Sequence, residues 1–178
     1  IKAARILASE LGEHVCLLVE ADQGPFDLAC QIMDLQELLI TLLDPEKEEW
    51  VHKLLTYASE QMLSYARALI EAGAHLTMMG ESTGGPDVCS PAIYRRFAFP
   101  YEQRLVETLR AEGKEIGIHI CGNVTPIIES MVATGAIFLQ VDYKIDHAAC
   151  KRAAQGKTTL IGTLDPSDVM ARGTVEDV

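Results

Sequence analysis

Short apolar or β-branched runs alternate along this chain with segments of helical period, and that alternation confines it to a parallel α/β fold. The runs are Val15–Glu20, Leu76–Met79, Ile116–Ile120, Ile137–Val141 and Thr158–Thr163. A helix over Lys2–Leu11 stops at Gly12, ahead of the first run. The next helix is long: Asp44 caps it, Pro45 occupies its first turn, Glu46, Glu48 and Glu49 complement the positive end of its dipole, and Gly73 ends it. Val51, Leu54, Leu55, Ala58, Met62, Ala66, Leu69 and Ile70 form one stripe at helical spacing, which marks core. Further helices run from Ser90-Pro91 to Gly113, from Asn123 or Thr125 to Gly135, and from Asp146 to Gln155. Pro100 is expected to kink or break the first of these. Thr174 and Asp177 read as the opening of one more.

Five strands with intervening helices fit either an open doubly wound sheet or part of a (β/α)8 TIM barrel. Neither G-x-G-x-x-G nor G-x-x-x-x-G-K-[ST] is present to favour a nucleotide-binding sheet. The polar residues favour the barrel. Glu20 and Asp22, Glu81, His119 and Cys121, Asp142 and Asp165 fall at or just past the C-terminal ends of successive strands, where barrel enzymes gather their chemistry. A strand-end acid also caps the next helix, and Asp146 and Asp165 are assigned mainly that task. The expectation is a single domain over residues 1–178, a partial (β/α)8 barrel of about five consecutive βα units.

Composition narrows the function. With 48% hydrophobic residues the chain can bury a substantial core. A formal net charge of −11, with no cluster of Lys and Arg, leaves no footprint for a phosphate backbone, so nucleic acid is excluded as a partner. No apolar run approaches the ~18 residues that span a bilayer, and Ile1-Lys2-Ala3-Ala4-Arg5 is not a signal peptide. Cys16, Cys30, Cys89, Cys121 and Cys150 are odd in number and lack paired spacing, which indicates reduced thiols and a cytoplasmic protein.

One pair of residues carries chemistry. His119 and Cys121 stand two apart at a strand end, and side chains at i and i+2 of a strand share a face. An imidazole nitrogen and a thiolate converging on one point are ordinary Zn²⁺ ligands, and Gly122-Asn123 lets the backbone turn beside them. The same pair is also compatible with two packed core residues. His14, His52, His75 and His147 have no partner at ligand spacing and are read as structural or surface residues.

Four segments together resemble the uroporphyrinogen decarboxylase superfamily. They are Gly24-Pro25-Phe26-Asp27-Leu28-Ala29; Ser90-Pro91 with Tyr94 and Phe97-Ala98-Phe99-Pro100-Tyr101; His119-Ile120-Cys121-Gly122-Asn123; and Gly162-Thr163-Leu164-Asp165-Pro166. Through His119-x-Cys121 the chain is similar to the methyltransferase branch, the methylcobamide:coenzyme M methyltransferases and corrinoid-linked O-demethylation enzymes. The resemblance implies a TIM barrel and a zinc-dependent transfer of a methyl group between a methylated substrate or thiol and a corrinoid (cobalamin) protein. It implies His119 and Cys121 as zinc ligands, Asp142 as the acidic ligand from the next strand, and one further Cys that has no counterpart in this sequence. Glu81 is implied as a pocket residue facing the metal, orienting substrate or serving as acid or base, and by itself is equally compatible with a solvated loop acid. Gln140 and Tyr143 flank Asp142 and either line the cofactor pocket or pack beneath it.

The missing cysteine and the five-strand count lead to the expectation of an internal fragment, lacking roughly two strands before Val15 and one after Thr163. Such a piece exposes two sheet edges through which it can pair with a copy of itself. Two alternatives stay open: a porphyrinogen decarboxylase-like enzyme, and a truncated domain without a complete site.

Overall fold

Successive right-handed βα crossovers in one direction lay each strand beside the previous one and keep every connecting helix on the same side of the sheet. The structure, a computed structural model, has this order: five parallel strands run β1-β2-β3-β4-β5. They are β1 (Leu18–Gln23), β2 (Leu76–Gly80), β3 (Ile116–Ile120), β4 (Phe138–Val141) and β5 (Thr159–Gly162). The helices are α1 (Lys2–Leu11), α2 (Pro25–Met33), α3 (Leu35–Thr41), α4 (Glu48–Glu71), α5 (Pro91–Ile93), α6 (Phe99–Ala111), α7 (Ile128–Ala133) and α8 (His147–Ala154). The structure describes residues 1–177, without the side chain of Asp22. A doubly wound sheet reverses its strand order about an inner strand. The unbroken order selects the barrel arrangement, and among the described residues β1 and β5 are its edges.

Local chemistry sets the element ends. The Asp44 carboxylate accepts from the Glu46 N–H at 3.0 Å and opens a 3₁₀ turn, Pro45–Lys47, that leads into α4. Asp146 caps α8 by accepting from the Ala149 N–H at 2.9 Å. Asp165 accepts from the N–H groups of Ser167 and Asp168, which closes a turn and begins no helix. The Thr174–Asp177 signal yields a 3₁₀ turn over Val175–Asp177.

Three further features differ from the sequence expectation. Val15–Leu17 lie outside the sheet, and β1 runs on to Gln23. The N–H groups of His75 and Leu76 both bond the Leu17 carbonyl, so β2 has no partner to give earlier residues. Glu20 therefore sits within a strand and not at its end. The second difference is α2 and α3, which fill the stretch between β1 and α4. Gly24-Pro25 starts α2, and Phe26, Ala29 and Cys30 are buried on it. The third concerns the form of the interruption at Pro100, which falls in the first turn of α6 behind a stretch that is not regular α-helix. Tyr94–Ala98 widen into a π turn between α5 and α6, and this turn absorbs the conflict a proline creates with the preceding carbonyls.

Strand alternation divides the sheet into two faces. Ile116, Ile118 and Ile120 of β3 are fully buried, in one cluster with Met79, Leu139, Leu55, Leu105 and Leu109. This is the helix-covered face. Gly117 and His119 point the other way, and the Phe138 ring lies against Gly117 so closely that a Cβ has no room there. The second face is open: Leu18 is 44% and Ile161 40% exposed. No helix in the described residues is long and apolar enough to cross a membrane.

Since Ile118 is enclosed on the central strand, Ile118→Ala removes both burial and packing. We expect a loss of about 2–5 kcal/mol in unfolding free energy, read as a lower urea midpoint at unchanged slope.

Candidate functional site

β3 delivers His119 and Cys121 to the open face. His119 Nε2 lies 3.0 Å from Cys121 Sγ, so the ring nitrogen and the sulfur converge as their spacing implies. His119 Nδ1 is buried and has no hydrogen-bond partner. After Cys121 the chain turns at Gly122, whose φ of +80° favours glycine. The Asp87 carboxylate occupies the space a Cβ would need there. Asp142 braces the turn, its Oδ2 accepting from the Gly122 N–H at 2.8 Å. Ser82 Oγ accepts from the Cys121 N–H at 3.3 Å.

His119, Cys121, Gln140, Asp142 and Tyr143 line one open cavity of about 670 Å³ at the C-terminal ends of β3, β4 and β5. The structure thus brings together five of the six side chains singled out in the sequence. Thr163 also lines this cavity, and its φ of +82° is rare for a β-branched residue. Lys144 reaches the rim and pairs with Asp87 at 3.6 Å. Lys144 carries no sequence pattern of its own, while Thr163 lies within the Gly162–Pro166 segment quoted for the resemblance. Among the described residues no group of three or more His, Cys, Asp and Glu side chains is arranged to hold a metal ion. His119 and Cys121 are a two-donor pair, with Nε2 and Sγ 3.0 Å apart. That donor chemistry fits Zn²⁺.

Burial sorts the thiols. Cys30 is pushed up to about 12 and Cys89 to about 11, chiefly by burial, so neither supplies a thiolate near neutral pH. Cys150 is buried as well, which leaves Cys16 and Cys121 exposed. The other histidines serve packing or lie on the surface. His75 Nδ1 accepts from the Leu17 N–H at 2.9 Å, and His52 stacks on Phe97 and lies 2.7 Å from the Tyr101 hydroxyl.

Glu81 is not in the cavity. It follows Thr77 and Met79 in the alternation, its N–H bonding the His119 carbonyl at 2.8 Å, and so faces the helix layer. There it is fully buried at the start of α2, with Oε1 accepting from the Asp27 N–H at 2.6 Å. Asp27 Oδ1 accepts in turn from the Thr83 N–H (2.8 Å) and hydroxyl. Glu102, also fully buried, accepts from the Tyr94 hydroxyl at 2.5 Å. Glu81 Oε2 and Glu102 Oε1 have no partner. Burial, then the charges of Glu102 and Asp27, push the Glu81 carboxyl well above the usual carboxylate range. Burial pushes Glu102 up as well, against the Tyr94 bond and with help from Asp27.

Acids with a raised folded pKa keep protons that the unfolded chain releases, so their contribution to stability is present at low pH and lost as pH rises through the folded values. The urea midpoint should therefore fall between about pH 5 and about pH 9. Glu102→Gln, which keeps the volume and cannot ionise, should flatten that decline. An equally steep decline in the variant contradicts the assignment.

The uroporphyrinogen decarboxylase (URO-D) family profile matches residues 1–178. A protein named methylcobamide:CoM methyltransferase MtbA from Methanosarcina acetivorans is 29% identical over the whole chain, which covers 51% of that protein. A uroporphyrinogen decarboxylase from Legionella pneumophila is 30% identical over 93% of the chain and 47% of that protein. Among solved structures, a methyltransferase from Methanosarcina mazei superposes with a TM-score of 0.82 at 26% identity, over 90% of this chain and 46% of that one. The chain spans about half the length of the curated relatives it matches. It belongs to the uroporphyrinogen decarboxylase family.

Proposed function

We propose that this chain carries the metal-binding strand end of a zinc-dependent methyltransferase, which moves a methyl group between a methylated substrate or thiol and a corrinoid borne by a partner protein. The observation that carries the reading is the convergence of His119 Nε2 and Cys121 Sγ on the open face. The names of the Methanosarcina relatives supply the methyl chemistry and make coenzyme M a candidate thiol. The free cysteines agree with a reducing, cytoplasmic setting.

In this reading His119 and Cys121 bind zinc, and a third protein ligand comes from outside these residues. Bound zinc supplies Lewis acidity and keeps a thiol deprotonated at neutral pH, where a free thiol of pKa ~8.5 is mostly protonated. Asp142 holds the Gly122 turn through its N–H and is assigned as the displaceable fourth donor. Gln140 and Tyr143 border the cavity beside it and are assigned to the corrinoid-facing wall. Glu81, directed into the helix layer, is left without a part in the chemistry.

The 30% identity to a uroporphyrinogen decarboxylase supports a second reading, porphyrinogen decarboxylation. Zinc content separates the two. The full-length protein, purified under reducing conditions and supplied with the metal, should retain roughly one zinc per chain, and Cys121→Ser and His119→Ala should each lose it. A wild type that takes up no zinc, or a Cys121→Ser variant of equal affinity, defeats the methyltransferase reading. Turnover of uroporphyrinogen by the metal-free protein would favour the second.

A further inference from the structure

The buried His119 Nδ1 lacks an acceptor, and the structure puts candidate acceptors on the strand beyond its neighbour. β2 lies between β1 and β3, and the β2 residue paired with His119 is Gly80. Gly80 has no side chain, so it leaves a slot across the open face between the two flanking strands. Two atoms lie within 4 Å of the place its Cβ would take, Glu20 Oε1 at 3.7 Å and Gln23 Oε1 at 3.8 Å. Both belong to β1. An irregularity in β1 between Glu20 and Gln23 brings Gln23 opposite Gly80, where a regular strand would present Asp22. The bulge and the glycine together direct two acceptor oxygens over the strand that separates them from the imidazole.

We infer that Glu20 is a positioning residue for His119: its carboxylate crosses the Gly80 slot and accepts the Nδ1 proton, with Gln23 packed beside it. The inference rests on His119 acting as a metal ligand through Nε2. A neutral imidazole has one N–H, and the acceptor that binds it decides which nitrogen keeps its lone pair. With the proton held at Nδ1, the lone pair sits at Nε2, on the side of Cys121 Sγ. A carboxylate in that position also makes the imidazole a stronger donor to the metal. Among the described residues the Glu20 side chain is exposed.

The test uses the full-length protein with ¹⁵N-labelled histidine, observed zinc-free at a pH where the ring is neutral, and a zinc competition titration with a chromophoric chelator. In the wild type, His119 should carry its proton on Nδ1. Glu20→Ala should shift the population toward the Nε2–H tautomer and weaken zinc binding by about 10–100-fold, and Glu20→Gln, whose amide oxygen still accepts, should restore most of both. Gly80→Ala, which closes the slot, should reproduce Glu20→Ala. A tautomer population indifferent to Glu20→Ala overturns the inference, most directly if Gln140→Leu or Gln23→Leu shifts it instead. If the tautomer follows Glu20 and no variant binds zinc, the positioning role stands and the metal reading falls. If zinc binds and Glu20→Ala leaves both readouts unchanged, the reverse holds.

Discussion

The two-residue repeat of strand β3 is the constraint on which the site depends. Ile116, Ile118 and Ile120 are committed to the helix layer, and that commitment forces Gly117 and His119 onto the other face, with Cys121 next in the alternation. A register slip of one residue would bury an imidazole among leucines and turn three isoleucines to the open side. The apolar core thus fixes where the chemistry faces, without any contact between the two. Gly117 serves the same arrangement from below, since the space it leaves is taken by Phe138 of the adjacent strand.

Behind the sheet the same fold tolerates an unusual concentration of acid. Asp27, Glu81 and Glu102 are buried together, with Tyr94 and Thr83 supplying hydrogen bonds. Unpaired carboxylates are costly in such a place, and holding protons lowers the cost. The cluster's hydrogen bonds tie the start of α2 to the loop after β2, and the π turn to α6. Gly24 lets it form: the Glu81 carboxyl fills the space a Cβ would occupy on that residue. The polar side chains of the molecule therefore divide between a helix-side cluster that fastens elements together and an open-face cavity that can meet a ligand.

Much of this was legible in the sequence because capping and periodicity are local. Ile116–Ile120 coincides with β3, and Asp44, Ser90 and Asp146 cap as their residue types imply. Sequence position also sufficed to gather His119, Cys121, Gln140, Asp142 and Tyr143, since strand ends on one side of a parallel sheet share a neighbourhood. What escaped was non-local. Val15–Leu17 has the composition of a strand, but its place in the sheet depends on where β2 begins. The stretch from Pro25 to Met33 is a short, mostly apolar helix that buries Pro25, Phe26, Asp27, Ala29 and Cys30 and leaves Ile32 exposed, so residue type alone does not separate its faces. Glu81 was readable in principle: two residues after Met79, it belongs with the helix-facing set, and proximity to a strand end concealed that parity.

The order β1-β2-β3-β4-β5 also governs how the protein is made. Each of β2 to β5 can dock on the strand synthesised just before it. Loop-closure costs stay small and are met one βα unit at a time, which favours vectorial, co-translational assembly. The His119–Cys121 strand end emerges with β2 already beside it, and the brace of the Gly122 turn arrives only with Asp142 at the end of β4.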